Sequence, residues 1–253
     1  MAAQQTTNCA EVIWTRPERN GRGPRPSHTR EDITEVAIRV ADAEGLEAVS
    51  MRRIAAELGT AATSLYRYVT RKDDLLELMI DRVIGERPLP SPTGDWQRDL
   101  RALARRSRST MLRHPWVVSL LGGRTMLGPN NLATVDSMFG CLDGLGLEIV
   151  NTAVIVSTIE AFVRGHTSGE VVELEATRRT GMNLDQWLSS QRPYLDSIFE
   201  SGRYPHFSRV IQRGRTNRPE SGARSERKFS LGLDRLIQGI STDLKRISQE
   251  STC

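Results

Sequence analysis

Residues 50–72, SMRRIAAELGTAATSLYRYVTRK, constrain the fold of this chain more than any other stretch. Ser50 can cap a short helix, and Gly59 is the type of residue that ends one. Apolar side chains four positions apart mark one face of each of two short helices: Ile54 and Leu58 before the glycine, Leu65 and Val69 after it. Two helices joined by a tight turn containing Gly form a helix-turn-helix, whose second helix can lie in the major groove of DNA.

The remaining positions of this pair predict the residues that touch DNA. Tyrosine hydroxyls and arginine guanidinium groups reach phosphates or guanine, and small side chains let the backbone approach the bases. A lysine at the start of the following helix favours phosphate together with the helix dipole. The predicted DNA-binding residues are Arg52, Ala62, Thr63, Ser64, Tyr66, Arg67, Tyr68 and Lys72. The alternative that the spacing leaves open is a plain helix corner with a solvated basic face.

Together with the helix before it, this stretch resembles the N-terminal domain of the tetracycline-repressor (TetR) family of bacterial transcription regulators. The matching letters are SMRRIAAELG, then Leu65-Tyr66-x-Tyr68-Val69, then Lys72-Asp73-x-Leu75-Leu76, within about residues 29–86. The sequence departs from the family at Ala61 and Arg71, where a capping Ser or Thr is usual, so Thr60 or Thr70 is the alternative cap. The resemblance implies a helical DNA-binding domain at the N-terminus.

Proline- and glycine-rich stretches divide the chain into three parts. Residues 1–28 are polar and arginine-rich, which predicts a flexible basic N-terminal arm that follows phosphates or enters the minor groove; a disordered tail is the alternative. The helix-turn-helix DNA-binding domain is predicted at residues 29–87, opened by a capping box of Thr29 and Asp32. Several prolines follow, and the ligand-binding and dimerisation domain is predicted at residues 94–248.

Helical patterns continue to the end, so the predicted fold is all-α: a three-helix helix-turn-helix domain with a supporting fourth helix, and a larger helical domain. Residues 148–165 are apolar on nearly every side, which predicts burial on every side. The last helix places Leu233, Leu236, Ile237, Ile240 and Leu244 on one stripe, after a polar stretch at 216–227 predicted to be a loop. Two copies of both helices would form a four-helix bundle, and the alternative is a single monomeric core.

The pattern of residues 95–121, especially Arg113-His114-Pro115-Trp116, also resembles the C-terminal domain of the tetracycline-repressor branch. This resemblance implies a domain that dimerises and holds a pocket for a small-molecule effector. The candidate pocket residues combine apolar walls with polar groups. They are Met111, Trp116, Met138, Asn151, Thr158, Phe162 and His166, with Glu160 as a further polar group. For the aromatic and methionine side chains, ordinary core packing is the simpler alternative, and the identity of the effector does not follow from the sequence.

Other classes of protein are disfavoured. The three cysteines lie far apart and no apolar run reaches transmembrane length, so we expect a protein of the reducing cytoplasm with no membrane partner. The histidines show no ligand spacing and no catalytic motif is present, so we expect neither an enzyme nor a metal or cofactor site. The sequence thus predicts a homodimeric repressor that binds a palindromic operator in double-stranded DNA and is released by an effector. The alternative is an activator or architectural DNA-binding protein without small-molecule sensing.

Overall fold

The computed structural model describes residues 12–16, 28–121, 126–214 and 221–250, and within these ranges it contains helices and no strands. Short 3-10 turns lie at Ile13–Thr15 and Leu46–Ala48. The α-helices are α1 (Arg30–Glu44), α2 (Met51–Glu57), α3 (Ala62–Leu65), α4 (Lys72–Ile84), α5 (Trp96–Arg113), α6 (Val117–Leu120), α7 (Pro129–Gly140), α8 (Ile149–Thr180), α9 (Leu184–Ser190), α10 (Arg192–Glu200), α11 (Pro205–Gly214) and α12 (Ser221–Glu250). The predicted all-α class is confirmed.

Two compact units divide the chain. The first comprises Met1–Gly94 and Ser109–Asp143, and the second comprises Asp95–Arg108 and Gly144–Cys253. Helix α5 therefore contributes residues to both units. The domains expected from the sequence, at 29–87 and 94–248, are defined by motifs rather than by compactness, and they stay a prediction.

Helix α1 begins and ends where the sequence indicates. The amide of Asp32 donates to Thr29 Oγ1 at 3.0 Å, and the amide of Thr29 donates to Asp32 Oδ2 at 2.7 Å, which completes the predicted capping box. Gly45 ends the helix with a φ of 89°, a conformation that side chains with a Cβ rarely adopt. The buried residues of α1 are Ile33, Thr34, Val36, Ala37, Ile38, Val40 and Ala41.

Helices α2 and α3 form the predicted helix-turn-helix. The amide of Arg53 donates to Ser50 Oγ at 3.2 Å, so Ser50 caps α2. Gly59 turns the chain at a φ of 63°. Helix α3 has only four residues, and the residue before it, Ala61, offers no side-chain cap; the same holds for Arg71 before α4. The alternative caps, Thr60 and Thr70, do not occupy the N-cap positions.

A buried carboxylate joins α4 to the start of α7. Asp81 of α4 is buried and accepts hydrogen bonds at 2.9 Å from Asn130 Nδ2 and from the amide of Asn131, at the start of α7. A Cβ on Gly128 would overlap the Asp81 side chain, so this approach requires glycine. These bonds satisfy backbone and side-chain donors at the N-terminus of α7, where a negative charge is stabilising.

His114 makes a second polar connection in this unit. Its Nδ1 lies 2.9 Å from Asp42 Oδ1 at the end of α1, and its Nε2 lies 3.1 Å from Glu86 Oε2 just after α4. The indole N–H of Trp116 donates to the same Asp42 oxygen at 2.7 Å. The His114-Pro115-Trp116 turn is thereby connected to α1 and to the segment that follows α4.

The second unit is built on two long helices, α8 and α12. Val163, Thr167 and Val171 of α8 are buried, as are Phe229 and Leu233 of α12. The expectation that residues 148–165 are buried on every side is wrong for the single chain. One face packs inward, whereas the other stays open and leaves apolar side chains in solvent: Ile149 is 87% exposed, Val150 69% and Val154 55%.

The predicted loop at 216–227 is wrong for its second half, because α12 begins at Ser221. Polar side chains in this part of the helix are held by ion pairs: Arg224 Nη2 lies 2.9 Å from Asp185 Oδ2, and Glu226 is bonded to Arg108. Arg108 also pairs with Glu170 at 2.9 Å and lies over the Phe229 ring, 4.8 Å from its centroid. These ion pairs stabilise the helical conformation of the polar residues at the start of α12. Residues 215–220 lie outside the described ranges.

Candidate nucleic-acid interface

The exposed side of the α2–α3 pair follows from what its other side buries. Leu65 and Val69 are fully buried, so residues between them at other helical angles face away from the core. Thr63, Tyr66 and Arg67 are exposed, with Tyr66 at 50%. Tyrosine and arginine side chains of this kind, next to a small hydroxyl residue, are able to donate hydrogen bonds to phosphates and base edges. The structure thus presents a polar surface of the type that a recognition helix requires.

Two of the five basic residues in 50–72 are neutralised by carboxylates. Arg53 pairs with Glu44 at 2.7 Å and with Glu57 at 2.8 Å. The hydrogen bond to Glu44, followed by that to Glu57, raises the pKa of Arg53 above its ordinary value. Arg71 pairs with Asp74 at 2.6 Å. Both guanidinium groups are therefore occupied within the protein.

The other three basic residues are not paired with a carboxylate of the described chain. In the described ranges no carboxylate lies within ion-pair distance of Arg52, Arg67 or Lys72, and all three side chains are exposed. Arg67 lies 5.8 Å from the centroid of the Tyr68 ring, which limits the conformations of its side chain. These cations, together with Tyr66, are the groups best placed to contact DNA phosphates.

The remaining predicted contacts are less accessible. Ala62, Ser64 and Tyr68 are half-buried, and the carbonyl of Tyr68 accepts a hydrogen bond at 3.1 Å from Arg30 Nε. Their positions next to exposed residues keep them at the edge of the surface. The roles of all eight residues in DNA binding stay a prediction.

A buried carboxylate lies directly behind this surface. Asp74, in the first turn of α4, is 2% exposed and accepts hydrogen bonds from Arg71, Arg16 and the Thr70 hydroxyl. Burial alone would raise the pKa of Asp74, but the hydrogen bonds from Arg71 and Arg16 outweigh it, so the pKa lies below the ordinary value. The sequence-based prediction missed Asp74 and Arg16. The apolar pair Ile13-Trp14 is unusual in a polar arm, and it could have indicated that the segment containing Arg16 packs against the protein.

Part of the predicted arm, residues 12–16, packs against the protein through Ile13 and Arg16. Ile13 is 1% exposed, and Arg16 is bonded to the link between α3 and α4. The other arginines of the arm, Arg19, Arg22 and Arg25, lie outside the described residues.

The candidate effector-binding residues fall into three groups. Met111, Trp116 and Met138 are buried in the first unit, whereas Asn151 and Thr158 line a groove of about 530 Å³ between α8 and α12 in the second. Phe162 and His166 lie against Phe229, and His166 Nδ1 is 2.7 Å from Glu170 Oε1 at an angle unsuited to a hydrogen bond. Glu160 is exposed, and partial desolvation raises its pKa. The groove is thus lined by two of the seven candidates.

No group of three or more His, Cys, Asp or Glu side chains in the described ranges is arranged to hold a metal ion. None of the described helices combines the length and the apolarity that crossing a lipid bilayer requires.

Comparison with known proteins gives matches along most of the chain. Residues 33–79 match the family of bacterial regulatory proteins called tetR, and residues 87–244 match the tetracyclin repressor-like C-terminal domain. The HTH-type transcriptional repressor DrrR1 of Streptomyces coeruleorubidus is 36% identical over 234 residues, which cover 91% of this chain and 83% of that protein. The tetracycline repressor protein class E of Escherichia coli is 27% identical over 217 residues, covering 85% and 91%.

Solved structures extend the similarity to the fold. ActR of Streptomyces coelicolor in complex with actinorhodin aligns with a TM-score of 0.69 at 28% identity, covering 85% of this chain and 96% of that one. Apo ActR aligns with a TM-score of 0.70, also at 28% identity, over 88% of this chain and 100% of that one. The similarity therefore includes both the helix-turn-helix and the helices that follow it.

Proposed function

Because this chain belongs to the TetR family of bacterial transcription regulators, we propose that it is a homodimeric repressor that binds a palindromic operator and is released by a small molecule. The observation that carries the proposal is the exposed surface of the helix-turn-helix. There Arg52, Arg67 and Lys72 lack acidic partners within the described chain, while neighbouring cations are neutralised. Such a surface fits the phosphates of a duplex, and Thr63 and Tyr66 fit base edges or sugar–phosphate groups.

The open face of α8 supports the homodimer. Its exposed apolar and small residues follow a spacing of three or four: Val150, Val154, Ser157, Ala161, Gly165, Ser168 and Val172, of which all but the half-buried Ser168 are exposed. This repeat is typical of helices that pack side by side at close distance. A second copy of α8 and α12 would cover these residues and complete a four-helix bundle, since a twofold axis brings the same surface of both copies together.

Dimerisation also explains how so short a recognition element selects an operator. Helix α3 has four residues, so one copy reaches few base pairs. Two copies about 34 Å apart would meet successive major grooves on one side of the duplex. An inverted repeat in the DNA would then match the twofold axis of the protein.

Effector release is supported by the nature of the relatives. DrrR1 is a repressor, and ActR has been solved with actinorhodin bound. We place the effector of this chain in its C-terminal helices, in the part of the chain that matches the tetracyclin repressor-like C-terminal domain. The effector releases DNA if it binds more tightly to a state whose recognition helices do not fit adjacent grooves. The natural setting for this activity is the bacterial cytoplasm.

The test is selection of bound duplexes from a random pool, followed by screening of small molecules for thermal stabilisation and operator release. We expect enrichment of an inverted repeat bound by two chains, and a stabilising compound that weakens this binding. Enrichment of a single half-site bound by one chain would contradict the dimer. If no stabilising compound weakened operator binding, the alternative of a DNA-binding protein without small-molecule sensing would replace effector release.

A further inference from the structure

We infer that Val12–Arg16, here called the strap, holds the end of the recognition helix in place, and that Arg16 is its positioning residue. This inference rests on the proposed DNA-binding function and extends it to a segment outside the match to the family, which begins at residue 33. We call Tyr68–Thr70, which follow α3, the recognition-helix tail.

The strap is a packed element of the first unit. It forms one turn, in which the amide of Thr15 donates to the Val12 carbonyl at 3.2 Å and that of Arg16 to the Ile13 carbonyl at 3.3 Å. Ile13 is 1% exposed, so its side chain is removed from water almost completely. Burial of an isoleucine stabilises the docked state enough to offset part of the entropy lost on ordering five residues.

Arg16 joins the strap to the link between α3 and α4. Its Nη1 donates to Thr70 Oγ1 at 2.9 Å and to Asp74 Oδ2 at 2.8 Å. Thr70 Oγ1 in turn donates to Asp74 Oδ2 at 3.2 Å. Since Asp74 is buried, the bond that it accepts from Arg16 is partly shielded from water, and the exposed Thr70 is held by bonds to both side chains.

Arg30, the first residue of α1, connects the strap to the same tail from the other side. Its Nη1 donates to the Arg16 carbonyl at 2.7 Å, and its Nε donates to the Tyr68 carbonyl at 3.1 Å. Strap, α1 and recognition-helix tail are thus joined through two guanidinium groups.

The recognition helix needs such supports because it is short. A helix of four residues cannot be stable through its own hydrogen bonds, and its N-cap, Ala61, adds no side-chain bond. Its direction is therefore set by the buried Leu65 and Val69 and by the contacts on its tail. Removing the strap would widen the range of orientations that α3 samples, and fewer molecules would fit the major groove at any time.

The experiment compares the full chain with Arg16→Ala and Arg16→Lys. Hydrogen exchange of residues 62–70 is measured in the free protein, and operator affinity is measured as a function of salt concentration. We expect Arg16→Ala to speed exchange across 62–70 and to weaken operator binding roughly 10-fold or more, as loss of a charge-assisted hydrogen bond predicts. In Arg16→Lys we expect both effects to be smaller than in Arg16→Ala, because an ammonium group still donates to Asp74.

The salt dependence separates positioning from direct contact with DNA. If Arg16 acts through the tail, the slope of log affinity against log salt is the same in the wild type and Arg16→Ala. A slope smaller by about one would show that Arg16 neutralises a phosphate, and this would overturn the inference. Arg178→Ala, which removes an exposed positive charge from α8, is the control and leaves exchange at 62–70 unchanged.

Unchanged exchange at 62–70 in Arg16→Ala would likewise overturn the inference. Exchange is measured without DNA, so it decides the inference even if the wild-type protein binds no duplex. A wild-type protein that binds no duplex would contradict the proposed function, but the exchange comparison would still decide the inference.

Discussion

The two units of this chain differ in the side chains that distinguish them: paired buried carboxylates in the first, and exposed apolar residues in the second. In the first unit, buried carboxylates join neighbouring segments. Asp74 accepts hydrogen bonds from Arg16 and Arg71, and Asp81 accepts one from the amide of Asn131 at the start of α7. In the second unit, α8 and α12 share a core but leave large apolar side chains in solvent. Besides the α8 residues, the exposed set includes Trp187, Tyr194, Tyr204, Phe207, Val210 and Leu231.

This difference indicates a division of labour. In the first unit, buried carboxylates are paired within the single chain, and we propose that its exposed helix-turn-helix surface contacts DNA. A contiguous apolar surface is unusual on a monomer and marks a surface that a partner covers. The comparison therefore predicts that substitutions in the first unit alter folding or DNA contacts, whereas those on α8 alter assembly.

The largest effect is expected from Val154→Asp on the open face of α8. A carboxylate there would be buried without a counter-charge in the dimer, so we expect monomers by sedimentation velocity. Operator affinity would fall by about 10²–10⁴-fold, because two linked half-site contacts become one. Arg178→Asp, which lies off the apolar stripe, is the control. A Val154→Asp protein that remains dimeric would contradict the assignment of this face.

The next effect tests the closed core of the first unit. Leu65 is fully buried, so Leu65→Ala removes apolar contacts and leaves a cavity, which costs about 2–5 kcal/mol of unfolding free energy. Leu231→Ala is the matched change in the second unit, where the side chain is 47% exposed, and we expect a cost below about 1 kcal/mol. Urea denaturation measures both. Equal losses would remove the contrast between the two units.

A smaller effect tests the DNA-facing surface. Arg52→Ala or Tyr66→Ala should each weaken operator binding by about 1–3 kcal/mol if the side chain contacts a base or phosphate. Arg53→Ala should weaken it less, because Arg53 is held by Glu44 and Glu57. Titration of a labelled operator measures the three affinities. Unchanged binding in both Arg52→Ala and Tyr66→Ala would rule out the proposed docking.

The smallest effect concerns acid. The pKa of Asp74 is lower in the folded protein than its ordinary value, so its contribution to stability is present above that value and is lost as pH falls through the folded pKa. We expect Asp74→Asn to reduce the loss of unfolding free energy below pH 4 by less than about 1 kcal/mol. Denaturation of both proteins from pH 6 to 3 measures this. Identical pH profiles would show that Asp74 does not contribute.

Sequence patterns predicted best what depends on neighbouring residues. The capping box at Thr29, the cap at Ser50 and the turn at Gly59 are local, and each is found where expected. The start of α12 was missed because its polar first turns are stabilised by Asp185 and Arg108, which lie far away in sequence. The docking of the strap was missed for the same reason.

The site was predictable to a different degree in each part. Exposure of Thr63, Tyr66 and Arg67 followed from the spacing of Leu65 and Val69. The pairing of Arg53 with Glu44 depends on the fold, because Glu44 lies in another helix. The pairing of Arg71 with Asp74 is local, because the two residues are three positions apart. The effector-binding residues could not be selected from type and spacing, because a buried aromatic residue such as Trp116 serves packing and bonding to Asp42 equally well.

The outward side chains of α3 have little share in holding the protein together. Thr63, Tyr66 and Arg67 project from a backbone that Leu65, Val69 and the tail contacts keep in place. If these side chains contact the bases as proposed, their substitution would change the preferred DNA sequence with little loss of stability. That separation makes the chain a practical chassis for retargeting a genetic switch to a new promoter.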